Sequence, residues 1–400
     1  MIRTCALWVT AAYALTAFAA EGATPVPKAL ADRLLATYVF VGGGSGVLIG
    51  TDGLILTNNH VIDGLRDYTV RTADSTTYQA TLLGTDPVGD IALLKIDPAM
   101  RPGGGSFPGA ELAPLTALLP GSEVIAIGNP FALGDLDDVP SLSTGVLSCG
   151  RIVRGDYSDS VQSDAPVNPG NSGGPLFDRN GLLLGINGQI RSLSGYRINS
   201  GIGLAIASTQ LAAFLPELVA ADGGYVRHTA APKGLELASD ADGVFVKKTG
   251  DSPLLVGDRL MTIAGRAVAS VPTAMGLFAS LPARAGAGTT VLVARSDGQS
   301  TELVVPLSHT PIPGNPYHGL SFVERDGTTI IGHVDQNSPA SSAGFTVGSQ
   351  VLSIEGKPIT TKVSLLRALV GREIGDRVEF TTRDRAGTDK TAKVLFKQHP

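Results

Sequence analysis

The sequence predicts a mainly β protein: a barrel or sandwich of short strands, followed by two small α+β units built on one repeated pattern. Short apolar runs recur between turns rich in Gly, Asp and Pro, the spacing of an all-β barrel or sandwich. Glycine is abundant, at 50 residues, but follows no fixed period, so it marks turns and not a collagen-like segment. The run Val256–Val268 is matched by Val347–Ile359, and a helical pattern follows each. With 43% hydrophobic and 17% charged residues the chain can bury real cores and is not disordered. A formal net charge of −5 leaves no basic footprint for nucleic acid.

The first segment reads as a cleaved secretory signal peptide over residues 1–19. Arg3 supplies the basic n-region, an apolar run continues through Phe18, and Ala17-Phe18-Ala19 forms the A-x-A cleavage site. No later stretch of about 18 apolar residues follows, so the mature chain is expected to be soluble. Cleavage removes Cys5 and Trp8. Cys149 then stands alone, which excludes an intrachain disulfide, and is expected to be a small buried hydrophobe.

Residues 36–215 read as one β domain. Tyr38–Val41 leads into Gly42-Gly43-Gly44-Ser45-Gly46, and Val47–Ile49 pairs with Leu54–Thr57 across an Asp52-Gly53 turn. Further strands are expected at 68–72, 78–83, 91–96, 123–127, 143–147, 160–163, 174–178, 182–186 and 201–206. Gly44-Ser45-Gly46 is not a phosphate loop, because no helix pattern follows it and the Lys-Ser/Thr pair is absent.

Gly170-Asn171-Ser172-Gly173-Gly174 places a serine among glycines. Glycine permits positive φ and close backbone approach, so such a loop can aim several N–H groups at one point, as an oxyanion requires. A serine hydroxyl needs a base to become a nucleophile, and His60 is the only histidine before His228. A carboxylate would fix the imidazole tautomer. Asp63, Asp86, Asp90 and Asp97 are the candidates. Asp63, Asp86 and Asp97 read as turn or strand-end residues; Asp90 precedes the apolar run Ile91–Ile96, which suits either a dehydrated carboxylate or a strand-entry cap.

His60, Asp90 and Ser172 stand in the chain order of the chymotrypsin arrangement. The runs Gly44–Val47, Thr57–Val61, Asp86–Ile96, Ala126–Phe131, Gly170–Leu176 and Ser200–Ile206 together closely resemble the HtrA/Deg family of serine proteases. The resemblance implies a trypsin-like double β-barrel, with His60 as general base, Asp90 as its orienting partner and Ser172 as nucleophile. It implies an oxyanion hole at Gly170, Asn171 and Ser172, and a substrate pocket near Val167 and Gly188-Gln189-Ile190. No acidic residue stands between Asp164 and Ser172, so cleavage after small or medium aliphatic residues is expected. Asn171 occupies the place where digestive trypsin-like enzymes carry an aspartate that pairs with a new N-terminus. That activation route is closed here, and regulation by loop ordering is expected instead.

A helix is expected over 208–221, disturbed by Pro216 and ended by Asp222-Gly223-Gly224, with a linker through Pro232. Beyond it the chain repeats over 232–309 and 315–398, with helices at 272–281 and 361–370. These units resemble tandem PDZ domains, which add a peptide strand to a sheet edge and hold its C-terminal carboxylate in a backbone nest. The resemblance puts that nest at Lys233-Gly234-Leu235 in the first unit and Tyr317-His318-Gly319-Leu320 in the second. The first unit is five residues shorter between its Ser-Pro and Val-Gly motifs.

The expected function is a periplasmic serine endopeptidase of protein quality control and stress response, acting on unfolded proteins. C-terminal peptides would bind its PDZ domains. The alternative is a chaperone-like or scaffolding PDZ protein with a vestigial protease domain. No metal or cofactor is expected, because no His/Cys cluster has ligand spacing. The resemblance implies a homo-oligomer, a trimer or a multiple of one.

Overall fold

The computed structural model describes residues 25–398, apart from 66, 136–138, 155–156, 191–198, 285, 313–315 and 326. The expected signal peptide, with Cys5 and Trp8, lies outside the described residues. Twelve strands form two barrels. The first holds β1 (Tyr38–Val41), β2 (Gly44–Ile49), β3 (Leu54–Thr57), β4 (Tyr68–Thr72), β5 (Thr77–Asp86) and β6 (Ile91–Lys95). The second holds β7 (Glu123–Gly128), β8 (Ser141–Arg154), β9 (Tyr157–Ser163), β10 (Pro175–Asp178), β11 (Leu182–Ile190) and β12 (Gly203–Ala207). Around the first barrel the order is β1-β2-β3-β6-β5-β4, and the second repeats it as β7-β8-β9-β12-β11-β10. Closure leaves no bare edge within either barrel.

Each barrel has its own core, Val41, Ile55 and Leu94 in the first and Val124, Val161 and Leu184 in the second. A third cluster joins them through Phe40, Leu93, Phe177 and Ile206. Two helices seal that seam. Helix α1 (Lys28–Ala36) buries Leu34, and α3 (Ser208–Ala220) buries Leu211, Phe214 and Leu218. Between them in the chain, α2 (Asn59–Ile62) is a single turn. Helix α3 runs through Pro216 without ending, because its packed apolar face, and not local propensity, holds it.

The strands start or end within a few residues of the expected positions, with three differences. Helix α1 was not expected; its apolar positions lie before the first recognisable strand and gain their meaning only against the barrel. Gly44-Ser45-Gly46 belongs to β2 and not to a loop. A side chain at Gly46 would strike Val41 and Ile55, so the glycine lets three strands close up. Cys149 is half-buried on β8, not fully buried, because it faces Gln162 across a bulged pairing.

The two later units have one topology. The first orders β13 (Leu235–Asp240), β14 (Gly243–Thr249), β15 (Arg259–Ile263), β17 (Gly288–Ala294) and β18 (Ser300–Pro306), with β16 (Arg266–Ala267) on β15. The second orders β19 (Leu320–Arg325), β20 (Thr328–Val334), β21 (Gln350–Ile354), β23 (Arg377–Arg383) and β24 (Asp389–Leu395), with β22 (Lys357–Pro358) on β21. The registers match down to a bulge after Glu236 in one and after Ser321 in the other. Helices α4 (Val271–Phe278) and α6 (Lys362–Leu369) are each started by a side-chain cap, Ser270 on Thr273 and Thr361 in a capping box with Ser364. The shorter connection in the first unit lacks the turn of helix α5 (Pro339–Ser342) found in the second.

Candidate active site

His60 lies on α2, directly after β3, and Asp90 lies just before β6. Because β3 and β6 are paired, with Thr57 opposite Ala92, the two side chains meet at one end of the first barrel. The Asp90 carboxylate stands 2.9 and 2.8 Å from His60 Nδ1 through its two oxygens, and Oδ1 also accepts the His60 backbone N–H at 3.0 Å. Nδ1–H is therefore the donor, which leaves Nε2 as the basic nitrogen. Asp90 has φ +61, in the left-handed region. Its carbonyl accepts from Asn59 N–H at 3.2 Å and Asn58 Nδ2 at 2.9 Å, which holds the strained residue in place.

The second barrel adds a further donor. Tyr157 Oη, on β9, donates to Asp90 Oδ2 at 2.9 Å. Any side chain at Gly188 would collide with that hydroxyl. Nothing local in the sequence marks Tyr157, which reaches Asp90 across 67 residues of chain.

The Ser172 loop is held from below. Gly170, at φ +100, turns its carbonyl inward to accept from Ser45 Oγ at 2.7 Å and Asn129 N–H at 3.4 Å. The Ser172 carbonyl accepts Ser45 N–H at 2.9 Å, and Asn171 N–H donates to the Asn168 carbonyl at 3.0 Å. Gly173, at φ +82, has room only for hydrogen, because a side chain there would meet the Ser45 carbonyl and Thr57 Oγ1. The N–H groups of Gly170 and Ser172 have no hydrogen-bond partner among the described residues. Of the expected oxyanion residues, these two amides remain available while that of Asn171 is spent inside the loop. The Asn171 side chain is buried against Gly128, and its Oδ1 has no partner among the described residues. Ser45 and Asn129 set this loop, yet neither stands out in the sequence as a site residue.

One cleft of about 750 Å³ is lined by His60, Asp90, Ser172 and Gly170 together with Val167 and Gly188-Gln189-Ile190. Among its described lining residues Asp90 is the only acidic one, and it is turned to His60 and Tyr157. The structure thus brings together the catalytic, oxyanion and pocket positions expected from sequence.

The expected peptide-binding residues lie elsewhere, each set just before an edge strand that contacts a helix, β13 with α4 and β19 with α6. Gly234 and Gly319 take positive φ, +76 and +79. The Lys233 carbonyl accepts Asp251 N–H, and the Gly319 carbonyl accepts Asp335 N–H, each at 2.9 Å. Leu235 N–H donates to the Pro232 carbonyl at 3.1 Å, while Leu320 N–H donates to His318 Nδ1 at 3.0 Å. Tyr317 Oη donates to Asp335 at 2.7 Å. In both units the last amide of the loop is thus satisfied within the chain.

A family model for a trypsin-like peptidase domain matches residues 44–186, and one for a PDZ domain matches residues 316–395. A probable periplasmic serine endoprotease, DegP-like, from Bartonella henselae is 30% identical over 352 residues, which cover 79% of this chain and 67% of that protein. The similarly named protein of Pseudomonas putida is 44% identical over 154 residues, 38% of this chain and only 30% of the relative's own length. Among solved structures, the HtrA-type protease AlgW with decapeptide is 30% identical, with a TM-score of 0.51 over 68% of this chain and 83% of that one. AlgW with tripeptide is 27% identical, with a TM-score of 0.55 over 71% and 97%. Two barrels of one topology, a histidine bonded to an aspartate beside a glycine-cradled serine, and these likenesses lead to one conclusion: the chain belongs to the HtrA/DegP-like family of serine endoproteases.

Proposed function

We propose that this chain is an active serine endopeptidase in which His60, Asp90 and Ser172 form the catalytic triad. The observation that carries this reading is the joint lining of one cleft by His60, held through Nδ1 by Asp90, and by Ser172 beside two unbonded amides. His60 Nε2 takes the Ser172 proton as Oγ attacks the scissile carbonyl. The Gly170 and Ser172 amides receive the negative charge that develops on the carbonyl oxygen, where preorganised donors count most. His60 then protonates the departing amine, and water hydrolyses the acyl-enzyme by the same steps. Asp90 stays ionised and stabilises the imidazolium. Val167, Gly188, Gln189 and Ile190 form the substrate pocket, which supports a preference for small or medium aliphatic side chains over Lys or Arg.

The domain reading is a signal peptide at 1–19, the protease at 36–215 and PDZ domains at 232–309 and 315–398. The shared register of the two later units supports a PDZ assignment for the first as well as the second. Substrates are unfolded or damaged proteins in the periplasm, and C-terminal peptides bind at Tyr317–Leu320 and at Lys233–Leu235. The assembly is a homotrimer or a multiple of one.

The test is casein digestion by the chain and by Ser172→Ala, with and without peptides ending in a hydrophobic residue. Digestion that persists in Ser172→Ala eliminates the triad assignment. A rate indifferent to peptide removes regulation through the later units.

A further inference from the structure

A second His–Asp pair lies behind the first. His228 Nε2 is 2.6 Å from Asp86 Oδ2, with side-chain exposures of 1% and 0%. The other ring nitrogen, Nδ1, is 2.6 Å from the Ala279 carbonyl, at the end of α4 in the first repeat unit. Both nitrogens thus face oxygen acceptors, an arrangement that favours the doubly protonated imidazolium. Burial works against that charge, but Asp86 and the Ala279 carbonyl overcome it and hold the imidazole above its ordinary range. The Phe214 ring covers the imidazole at 4.5 Å between centroids.

What Asp86 does with its other oxygen matters for the cleft. Oδ1 accepts Val88 N–H at 3.1 Å and Gly89 N–H at 2.8 Å. These bonds shape the turn Pro87-Val88-Gly89 that delivers Asp90, and Pro87, Val88 and Asp90 all line the cleft. Gly89 lies so close to the pair that a side chain there would collide with Asp86, His228 and Gln210. An unbroken series of bonds therefore runs from the Ala279 carbonyl through His228 and Asp86 to the turn, and from Asp90 to His60.

We propose that His228 is a positioning residue for the catalytic site: it ties the end of α4 to Asp86 and thereby fixes the turn that presents Asp90 to His60. The docked first repeat unit is in this way a structural part of the active site. The unit is anchored on the second barrel at other points too, with Arg266 Nη2 donating to the Arg151 carbonyl at 2.5 Å and Gly276 set against Val153. Among the described residues, only the His228 link leads to the turn beside the triad. The inference rests on the protease reading above.

The test uses the whole chain with His228→Ala and His228→Gln. In His228→Ala, kcat on a chromogenic peptide falls about 10- to 100-fold while KM stays within about twofold, the scale of loss a misplaced catalytic group produces. Labelling of Ser172 by a phosphonofluoridate slows in proportion, and the downfield proton resonance of His60 Nδ1–H shifts or broadens. His228→Gln, whose amide can still donate to Asp86, recovers most of the loss. A folded His228→Ala with unchanged kcat and an unchanged resonance overturns the proposal. If His228→Ala does not fold, His228→Leu, which fills the space of the ring but can donate to neither Asp86 nor the Ala279 carbonyl, takes its place, and a wild-type kcat there overturns the proposal equally. A wild-type chain that neither digests casein nor labels at Ser172 instead overturns the protease reading itself, so the two failures are distinct.

Discussion

Two His–Asp pairs stand with their carboxylates four positions apart in the chain, and burial separates them. His60 and Asp90 sit at the cleft mouth with side-chain exposures of 45% and 16%, so the imidazole can gain and lose a proton against substrate. His228 and Asp86, at 1% and 0%, are closed off, and both imidazole nitrogens are already engaged. An exposed pair with one nitrogen to spare can do acid–base chemistry. A sealed pair with none to spare can only hold position. The same two residue types become reagent or rivet according to what surrounds them.

Matched substitutions separate the two pairs by the widest margin. Asp90→Asn removes the charge and favours the wrong His60 tautomer, so kcat falls about 10⁴-fold with little change in melting temperature. Asp86→Ala instead leaves a buried imidazolium without its partner, at a cost of about 3–5 kcal/mol in stability. Peptide hydrolysis and thermal melts on both variants check this. A stable, fully folded Asp86→Ala would show that the buried pair holds nothing.

Titration separates the pairs next. The folded-state pKa of His228 is raised, so the folded protein binds its proton more tightly than the unfolded chain does. Its contribution to stability is therefore complete below about pH 6.5, the unfolded value, and is lost as pH rises through the raised folded value. Melting temperatures of the wild type should fall on going from neutral to alkaline pH more steeply than those of His228→Gln. Parallel curves for the two proteins would contradict the charged pair.

How far each pair could be read from sequence follows the same divide. The exposed pair was legible because its chemistry recruits fixed residue types into short motifs, and Asp90 stood out through the apolar strand behind it. Asp86, a candidate triad carboxylate, reads from the sequence as a turn residue. It does make that turn, through Val88 and Gly89, but its partner lies 142 residues away in a linker whose sequence shows no pattern. Tyr157 and Ser45 escape the sequence for the same reason: each acts through hydrogen bonds that exist only once the two barrels have closed. The strands and the repeat were plain from periodicity, whereas α1 depends on a surface that forms later in the chain.

Tyr157 completes the exposed pair. Its hydroxyl gives Asp90 Oδ2 a donor from the second barrel, beside the bond from His60. A hydrogen bond to a charged group is worth about 1.5–3 kcal/mol, and part of it is lost in Tyr157→Phe. The expected outcome is a roughly tenfold lower kcat at unchanged KM. Loss confined to KM would place the hydroxyl in substrate binding instead.

A third histidine gives the smallest effect. His318 is partly buried against Phe322 and Phe396, and burial holds its pKa below the ordinary value. Staying neutral keeps Nδ1 free to accept the Leu320 N–H, the amide that a peptide carboxylate would need at this edge strand. On the proposed peptide-binding reading, the imidazole is neither reagent nor rivet but a stand-in for ligand. Removing that competitor in His318→Ala should tighten binding of a C-terminal peptide a few-fold, since one neutral hydrogen bond is worth about 0.5–1.5 kcal/mol. Calorimetric titration reads this directly, and weaker binding by the folded variant would mean that His318 supports the loop instead of occupying it.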